Sequence, residues 1–301
     1  MTGDGGPSAS STVTCIDLDR TVIYSPSALL LPGVDHEAPR LLCVEVYRGA
    51  PLSFLTETAG ALLEELAGAT VLVSTTTRTP EQLARVHLPG AAPPPYAIAS
   101  NGGHLLVDGV VDQGWSARVA RSLRGTADVE QVRAHVERHS GPFVQSLRVA
   151  SGLFVYSVVD RDRVPAGWVE ELSAWCAERG WGMSLQGRKV YCVPLPLTKS
   201  AAAREVQART GAAELVAAGD SLLDGELLAA ADRAVRPAQG ELASAGWTVP
   251  GLHVTTAPGV LGGEELVRWL LEAGRPTSRT RVSSGRPAGR TPPGRTTTLR
   301  T

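Results

Sequence analysis

The sequence predicts an α/β fold with a Rossmann-like core, in which helices cover both faces of a parallel sheet. Three observations support this prediction. Short apolar runs alternate with segments of helical periodicity between residues 13 and 104. The alternation gives way to hairpin and antiparallel patterns after Asn101-Gly102-Gly103, and it resumes near residue 190. The pattern therefore predicts a discontinuous core with an inserted α+β domain.

The core elements follow in order along the chain. The predicted core strands are the apolar runs at residues 13–17, 70–74, 96–100, 214–218 and 233–236. A helix is predicted over residues 56–67, because Leu62, Leu63 and Leu66 recur at helical spacing. A second helix is predicted to begin at Thr79-Pro80-Glu81-Gln82, which supplies an N-cap, a proline at the first helical position and a glutamine at N3.

The inserted domain is predicted to span residues 105–189 and to act as a cap on the core. It opens with a hairpin whose turn is Asp108-Gly109. The further predicted elements are helices near 116–139 and 166–179 and strands near 143–149, 153–159, 183–186 and 189–193. The core is then split into residues 13–104 and 190–273. A strand at 41–47 and a turn at 48–51 are predicted to form a β flap.

Composition limits the class of partner. The chain has 301 residues, 43% of them hydrophobic, and 29 basic residues balance 30 acidic ones, so bulk charge favours neither nucleic acid nor membrane. The four cysteines are scattered, with no zinc-ligand spacing. No signal peptide pattern and no apolar run of about 18 residues is present. A cytoplasmic protein is expected.

Both ends of the chain are predicted to be disordered. Residues 1–12 are small, polar and Gly-rich, and they carry too few apolar side chains to offset the entropy of ordering. Residues 274–301 are rich in Arg, Pro and Thr. This tail is interpreted as a solvated appendage; the alternative is a weak, salt-sensitive attraction to nucleic acid or another polyanion.

Four polar segments lie where chemistry is expected. Asp17 and Asp19 end the first core strand, and the run Thr75-Thr76-Thr77-Arg78 follows the second. Lys199 precedes an Ala-rich helix, and Gly219-Asp220-Ser221-Leu222-Leu223-Asp224 follows the strand at 214–218. Each segment also has a purely structural interpretation, since Asp and Ser cap turns and helices and threonine is common in strands.

In this order, the four segments resemble the signature of haloacid dehalogenase (HAD) superfamily phosphatases. The position of the insert between the second and third segments resembles the large α/β cap of the group that includes sucrose-phosphatase and Cof-like enzymes. The combination also resembles a bacterial HAD subgroup found beside tellurium-resistance stress genes. The resemblance covers about residues 13–273.

The resemblance implies a reaction and a catalytic set. Asp17 would attack phosphorus to form an aspartyl-phosphate, and Asp19 would protonate the leaving oxygen and later activate water. Neighbouring anionic groups are expected to raise the pKa of Asp19 and so supply that proton. Thr76 would bind a phosphoryl oxygen, with the register of the threonine run open by one position, and Lys199 would bridge the nucleophile and the phosphate.

The resemblance also implies Mg²⁺, for which hard carboxylate oxygens are suited. The implied ligands are Asp17, Asp19 through its backbone carbonyl, Asp220 and Asp224. Asp224 would ligate through water or orient Lys199, and Ser221 is a weaker ligand candidate.

The expected partner is a small phosphorylated substrate, bound by residues of the core and the cap. The implied substrate-binding residues are Thr76, Thr77, Arg78, Asn101, Gly102, Arg188 and Lys189; further cap candidates are Arg148, Tyr156 and Gln186. The predicted function is Mg²⁺-dependent hydrolysis of a sugar phosphate, a phosphoglycerate-like ester or a nucleotide. A phosphomutase and a non-catalytic binding module on the same scaffold remain alternatives.

Three positions depart from the family pattern. Arg20 replaces the usual glycine after the second aspartate, Thr77 replaces a common glycine, and Leu223 replaces a frequent asparagine. None of them removes a catalytic group. Arg20 would contact an anionic substrate or point to solvent, and the sequence leaves both open.

Overall fold

The structure is a computed structural model that describes residues 11–90 and 94–274. The predictions for residues 1–10 and for the Arg-rich tail from 275 onward lie outside the described residues. Thr12, predicted to be disordered, instead begins the first strand, where it pairs with Glu214. No helix in the described ranges is both long and apolar enough to cross a bilayer.

The strands were predicted to within a residue or two at most positions. They are β1 (Thr12–Ile16), β2 (Leu41–Tyr47), β3 (Ala50–Thr56), β4 (Val71–Thr75), β5 (Tyr96–Ala99), β6 (His104–Val107), β7 (Val110–Val111), β8 (Val144–Ala150), β9 (Phe154–Val159), β10 (Trp181–Gln186), β11 (Lys189–Pro194), β12 (Glu214–Ala218), β13 (Arg233–Arg236) and β14 (His253–Val254).

The α-helices of the described residues are α1 (Glu57–Ala69), α2 (Pro80–Leu83), α3 (Gln113–Ser122), α4 (Val129–Arg138), α5 (Trp168–Ala177), α6 (Lys199–Thr210), α7 (Gly225–Ala230), α8 (Glu241–Ser244) and α9 (Gly259–Gly274). The capping box predicted at Thr79 is present, because Thr79 and Gln82 exchange side-chain to backbone hydrogen bonds. The helix predicted over residues 116–139 is two helices, since a turn containing Gly125 separates α3 from α4.

The main sheet has eight strands in the order β14-β13-β12-β1-β4-β5-β6-β7. Strand β1 lies at its centre and pairs in parallel with both β12 and β4. Its side chains alternate between the two faces: Val13 and Cys15 pack into one apolar cluster and Ile16 into the other. The predicted α/β fold with a mainly parallel sheet is confirmed.

A second, antiparallel sheet has the order β10-β11-β9-β8 and, with α3, α4 and α5, corresponds to the predicted cap. The sheets divide the chain at points other than residues 105 and 189. The hairpin β6–β7 extends the main sheet, because β6 pairs with β5 over four residues, and β11 pairs with β9 and β10 in the cap sheet. Sheet membership therefore places the insert between Val111 and Pro194.

The predicted flap is present as the hairpin β2–β3. It is joined to the core through backbone hydrogen bonds between Tyr24 and Phe54 and through a bridge between Glu45 and Val86. Glu45 is 1% exposed although it lies in an otherwise mostly apolar strand. The flap thus brings a buried carboxylate to the edge of the core where the predicted site lies.

Candidate active site

The predicted catalytic residues meet at the carboxyl edge of the main sheet. Asp17 directly follows β1, Thr76 follows β4, and Asp220 follows β12 within two residues. The amide of Asp17 donates to the carbonyl of Ala218 at 2.9 Å, so the first and last of these segments adjoin. Because neighbouring parallel strands end at the same edge, three segments distant in sequence form one cleft.

Lys199 is the central cation of this cleft. It is 1% exposed, and its Nζ donates to Asp17 Oδ1 at 2.6 Å and to Asp224 Oδ1 at 2.5 Å. Burial by itself lowers the pKa of Lys199, but the charges of the two carboxylates and the hydrogen bonds to them raise it above its ordinary value. Lys199 therefore keeps its charge between the two aspartates.

Asp17 is buried and held from both sides. Its Oδ2 accepts a hydrogen bond from Thr21 Oγ1 at 3.0 Å, while Oδ1 accepts from Lys199. Burial raises the pKa of Asp17 to about 7; Lys199 opposes this rise, and the charges of Asp224 and Asp19 add to it. The ammonium group of Lys199 thus favours the ionised carboxylate in a site that otherwise favours the neutral acid.

Asp224 has both carboxylate oxygens engaged by the protein. Oδ1 accepts from Lys199, and Oδ2 accepts from Ser221 Oγ at 2.7 Å and from the amides of Ser221 and Asp220. The helix-capping interpretation is also correct, since Ser221 and Asp224 form a capping box. This geometry fits the predicted role of orienting Lys199.

Asp220 differs from Asp224 in its surroundings. Within the described residues, its carboxylate accepts no hydrogen bond from the protein. One carboxylate oxygen from each of Asp17, Asp220 and Asp224 lies within 4.8 Å of the others. Burial, followed by the charges of Asp17 and Asp224, raises the pKa of Asp220 well above its usual range. Three buried carboxylates around a single lysine leave an excess of negative charge, which a divalent cation would offset.

Asp19 has the opposite pKa shift from the one expected. Arg78 donates to both of its oxygens, from Nε and Nη2, each at 2.8 Å. Burial in the cleft raises the pKa of Asp19, but the hydrogen bonds and charge of Arg78, with the charges of Lys189 and Lys199, lower it below its usual value. The expectation of a raised pKa was wrong because the bidentate guanidinium of Arg78 and the two lysine charges outweigh the effect of burial.

Arg78 is itself held by the flap. Its Nη1 donates to Glu45 Oε2 at 2.8 Å, and the Glu45 carboxylate also accepts from Ser53 Oγ at 2.6 Å and from Arg85 Nε at 3.2 Å. Glu45 therefore fixes Arg78 against Asp19. The sequence analysis missed this residue, although a lone acid inside the strand run Leu41–Tyr47 was an available signal.

The other predicted substrate-binding residues of the core form two groups: Thr76 and Thr77 lie after β4, and Asn101 and Gly102 contact the segment that precedes Lys199. Thr76 is fully buried, and its hydroxyl accepts from the amide of Arg78 at 3.2 Å; Thr77 is half-buried and interacts with Tyr191 of the cap. Asn101 Nδ2 donates to the carbonyl of Leu197 at 2.8 Å. The last residue, Gly102, lies against the Thr198 carbonyl. Asn101 and Gly102 thus support the loop that carries Lys199.

The cap contributes the turn between β10 and β11. Arg188 and Lys189 lie there with exposed side chains, and the charge of Lys189 acts on Asp19. A second link between cap and core is Glu241, which accepts from Ser184 Oγ at 2.9 Å and from the Leu222 amide at 2.9 Å. No local pattern in the sequence marks Glu241. Through these interactions, the strands on both sides of the cap turn are linked to the core beside Asp19 and Leu222.

Solved structures of phosphatases, one of them described as a member of the HAD superfamily, share this fold. The sucrose-phosphatase from Synechocystis sp. PCC6803, solved with sucrose and phosphate, is 13% identical, has a TM-score of 0.56, and the match covers 86% of this chain and 98% of that one. A sugar phosphatase of HAD subclass IIB is 14% identical with a TM-score of 0.53, and the match covers 87% of this chain and 99% of that one.

A third similar structure is the C-terminal domain of trehalose-6-phosphate phosphatase from C. albicans. It is 10% identical with a TM-score of 0.51, and the match covers 88% of this chain and 93% of that one. No protein-family model and no curated protein sequence matches the chain. The likeness therefore lies in the capped fold, and the resemblance to the HAD phosphatases is confirmed at that level. The resemblance to the tellurium-resistance subgroup stays a prediction.

Proposed function

We propose that this protein is a Mg²⁺-dependent phosphohydrolase that cleaves a small phosphomonoester through an aspartyl-phosphate on Asp17. The observation that carries the proposal is the buried contact of Lys199 with Asp17 and Asp224, which lies at the carboxyl edge of a HAD-type sheet. A purely structural ion pair would not require a further buried carboxylate beside it. Asp220 nevertheless lies in the same cluster, which supports a binding site for a cation.

The residues have distinct tasks in this reaction. Asp17 Oδ2, held by Thr21, is the attacking atom, since Oδ1 is bound to Lys199. The oxygen forms a bond to phosphorus as the bond to the leaving oxygen breaks, and Asp19 donates the proton that the leaving oxygen requires. In the second step Asp19 takes a proton from water, which attacks phosphorus, releases phosphate and regenerates Asp17.

Asp19 must leave Arg78 to carry out either proton transfer. In the described geometry both of its oxygens are bound to the guanidinium, and its side chain is 46% exposed toward the cleft. A phosphoryl group bound in the cleft supplies three anionic oxygens that compete for Arg78. We therefore place Arg78 among the residues that bind the phosphate, which releases Asp19 for acid–base work.

The residues that would hold Mg²⁺ are Asp17 and Asp220, with the backbone carbonyl of Asp19. Both oxygens of Asp224 accept hydrogen bonds from the protein, from Lys199, from the Ser221 hydroxyl and from the amides of Ser221 and Asp220, so Asp224 supports the site indirectly. When bound, Mg²⁺ supplies positive charge that offsets these carboxylates and the phosphoryl oxygens.

Phosphate release from a panel of small phosphomonoesters tests the proposal. The panel is assayed with and without Mg²⁺ for the native protein, for Asp17→Asn, and for Asp162→Asn, whose carboxylate is exposed on the cap. We expect Mg²⁺-dependent release that Asp17→Asn abolishes and Asp162→Asn leaves intact. Release that survives Asp17→Asn would overturn the assignment of the nucleophile.

The same panel separates the two alternatives. Conversion of the ester into an isomeric phosphate ester, without free phosphate, would identify a mutase. Binding of the esters without turnover at any Mg²⁺ concentration would identify a binding module on a phosphatase fold.

A further inference from the structure

The turn between β10 and β11 brings basic side chains close to the core. Gly187 in this turn lies against Arg20 of the core, since a Cβ atom built on the glycine would be 3.5 Å from Arg20 Nη1 and 3.8 Å from Cζ. Arg188 and Lys189 follow Gly187 directly, and both are exposed, as is Arg20. Arg161 of the cap also reaches the turn, where its Nη1 donates to the Gly187 carbonyl at 3.2 Å. Four cations, one from the core and three from the cap, therefore lie around one turn: Arg161, which is bound to the backbone of the turn, and the three cations Arg20, Arg188 and Lys189.

These three cations lack a carboxylate partner at salt-bridge distance in the described residues, although Lys189 interacts with Tyr191. In the parts of the chain that the structure describes, Arg20, Arg188 and Lys189 form no salt bridge. Arg78, by contrast, forms salt bridges with two carboxylates, those of Asp19 and Glu45. The positive charge at the turn is thus left available for a ligand.

Arg20 occupies its position at a conformational cost. Its φ is 64°, in the left-handed region, which is less favourable than the right-handed one for a residue with a Cβ atom. A glycine, the usual residue here in the HAD pattern, would avoid this cost but would carry no charge. Non-glycine residues in such a conformation concentrate at functional sites. Arg20 therefore places at this position a cation that the usual glycine would not supply.

Two of the three cations act on the reacting groups. The charge of Lys189 acts on Asp19, and the charge of Arg20 acts on Asp220. The phosphoryl group must face Asp17, whose other side is closed by the buried Lys199. The leaving group consequently has to extend away from Lys199, toward the cap turn.

We propose that Arg20, Arg188 and Lys189 form a second anion subsite, which binds an acidic group on the leaving group of the substrate. The ligand is a carboxylate or a second phosphate, both of which a guanidinium binds in bidentate fashion. The enzyme would then select phosphomonoesters that carry this additional negative charge. This inference rests on the proposed function for the direction of the leaving group.

Matched ligand pairs test the subsite. Glucose 6-phosphate and 6-phosphogluconate differ by a carboxylate, and fructose 6-phosphate and fructose 1,6-bisphosphate differ by a phosphate. Their dissociation constants are measured by calorimetry on Asp17→Asn, which prevents turnover, with and without Arg20→Gly. The matched control is Arg48→Gly, because Arg48 is also exposed and also left-handed, with φ 52°, but lies at the flap turn.

We expect the acidic member of at least one pair to bind about tenfold or more tightly than its partner. Arg20→Gly should reduce that preference by about tenfold, as for the loss of a hydrogen bond to a charged group, and leave the dissociation constant of the member without the additional acidic group within threefold. Arg48→Gly should change neither constant. The pair that responds identifies the acidic group as a carboxylate or a phosphate.

Two results would overturn the inference. One is that neither acidic compound binds more tightly than its partner; the other is that Arg20→Gly weakens both members of a pair equally, as a structural role in holding the cap turn predicts. Values of kcat/KM for the same pairs, measured with Asp17 intact, give a second readout if Asp17→Asn folds poorly. Lack of any phosphate release there would count against the proposed function, whereas the calorimetric preference would still decide the subsite.

Discussion

Arg78 donates two hydrogen bonds of 2.8 Å to the Asp19 carboxylate, one from Nε to Oδ2 and one from Nη2 to Oδ1. The pair joins the polar segment after β4 to the polar segment after β1. It also keeps Asp19, the proposed acid–base group, ionised. Because Glu45 binds the remaining guanidinium nitrogen Nη1, the flap also controls this pair.

Replacing Arg78 should shift the pH dependence of turnover. Burial raises the pKa of Asp19, and Arg78 is the main group that lowers it. Arg78→Gln removes that positive charge, so the pKa of Asp19 should rise. Proton donation to the leaving group requires the protonated acid, and the decline of kcat/KM with rising pH should therefore move to higher pH. The control is Arg85→Gln, which removes the other arginine bound to Glu45. A lower kcat/KM with an unmoved pH profile would contradict this role.

Replacing Glu45 should destabilise the fold. Glu45→Gln leaves Arg78, which is 13% exposed, without one of its two charged partners, and we expect a loss of about 3 kcal/mol in the free energy of unfolding. Glu57→Gln is the control, since the Arg40–Glu57 pair is solvent-exposed and should contribute less than about 1 kcal/mol. Urea denaturation measures both variants.

The stabilisation by Glu45 should also depend on pH. Burial raises its pKa, but the hydrogen bond from Ser53 and the contacts with Arg78 and Arg85 lower it below the usual value. A carboxyl with a lower pKa in the folded state stabilises fully above its unfolded pKa and loses the effect as pH falls through the folded value. The difference between native protein and Glu45→Gln should shrink in acid. A difference independent of pH would exclude an ionised Glu45.

Replacing Asp224 should impair catalysis through Lys199. Asp224→Asn removes the charge of one of the two carboxylates that hold the ammonium group, and we expect kcat to fall roughly 10- to 100-fold. Asp112→Asn is the control, because Asp112 also caps a helix and binds an arginine, but in the α3 region of the insert. If the two substitutions lowered kcat equally, Asp224 would have only the structural role of capping a helix.

Gly102 and Gly109 form a matched pair for the loop that carries Lys199. Both have positive φ, of 94° and 79°, so alanine costs on the order of 1–3 kcal/mol of backbone strain at either position. A Cβ atom at Gly102 would also lie 2.1 Å from the Thr198 carbonyl oxygen, whereas Gly109 has nothing within 4 Å. Gly102→Ala should therefore lower both stability and kcat, while Gly109→Ala lowers stability only. Similar kcat values for the two would show that the loop tolerates displacement.

Mg²⁺ should raise the melting temperature through Asp220. A ligand at 100 times its dissociation constant stabilises the folded state by about 2.7 kcal/mol, which corresponds to several degrees for a chain of this size. Asp220→Asn should abolish the shift, and Asp162→Asn should retain it. A shift that persists in Asp220→Asn would place the cation elsewhere.

Local sequence determined the elements and the candidate catalytic residues. Strands such as Glu214–Ala218 and Arg233–Arg236 were predicted at their observed bounds, because an apolar run between helical segments depends on few distant contacts. Asp17, Thr76 and Asp220 each lie at or just beyond the carboxyl end of a predicted strand. Because parallel strands run in the same direction, the three residues are expected at one edge of the sheet. Their roles in catalysis, like the cytoplasmic location, stay predictions.

Tertiary structure decided which of these groups are bound to one another. The pKa of Asp19 depends on Arg78, 59 residues away in the chain. Arg78 is in turn bound by Glu45, which reaches it only because the flap packs on the core. Strand pairing likewise assigned the hairpin after Gly103 to the main sheet. Spacing along the chain does not specify which donor faces which acceptor, because that pairing arises only when the sheet, flap and cap are packed together.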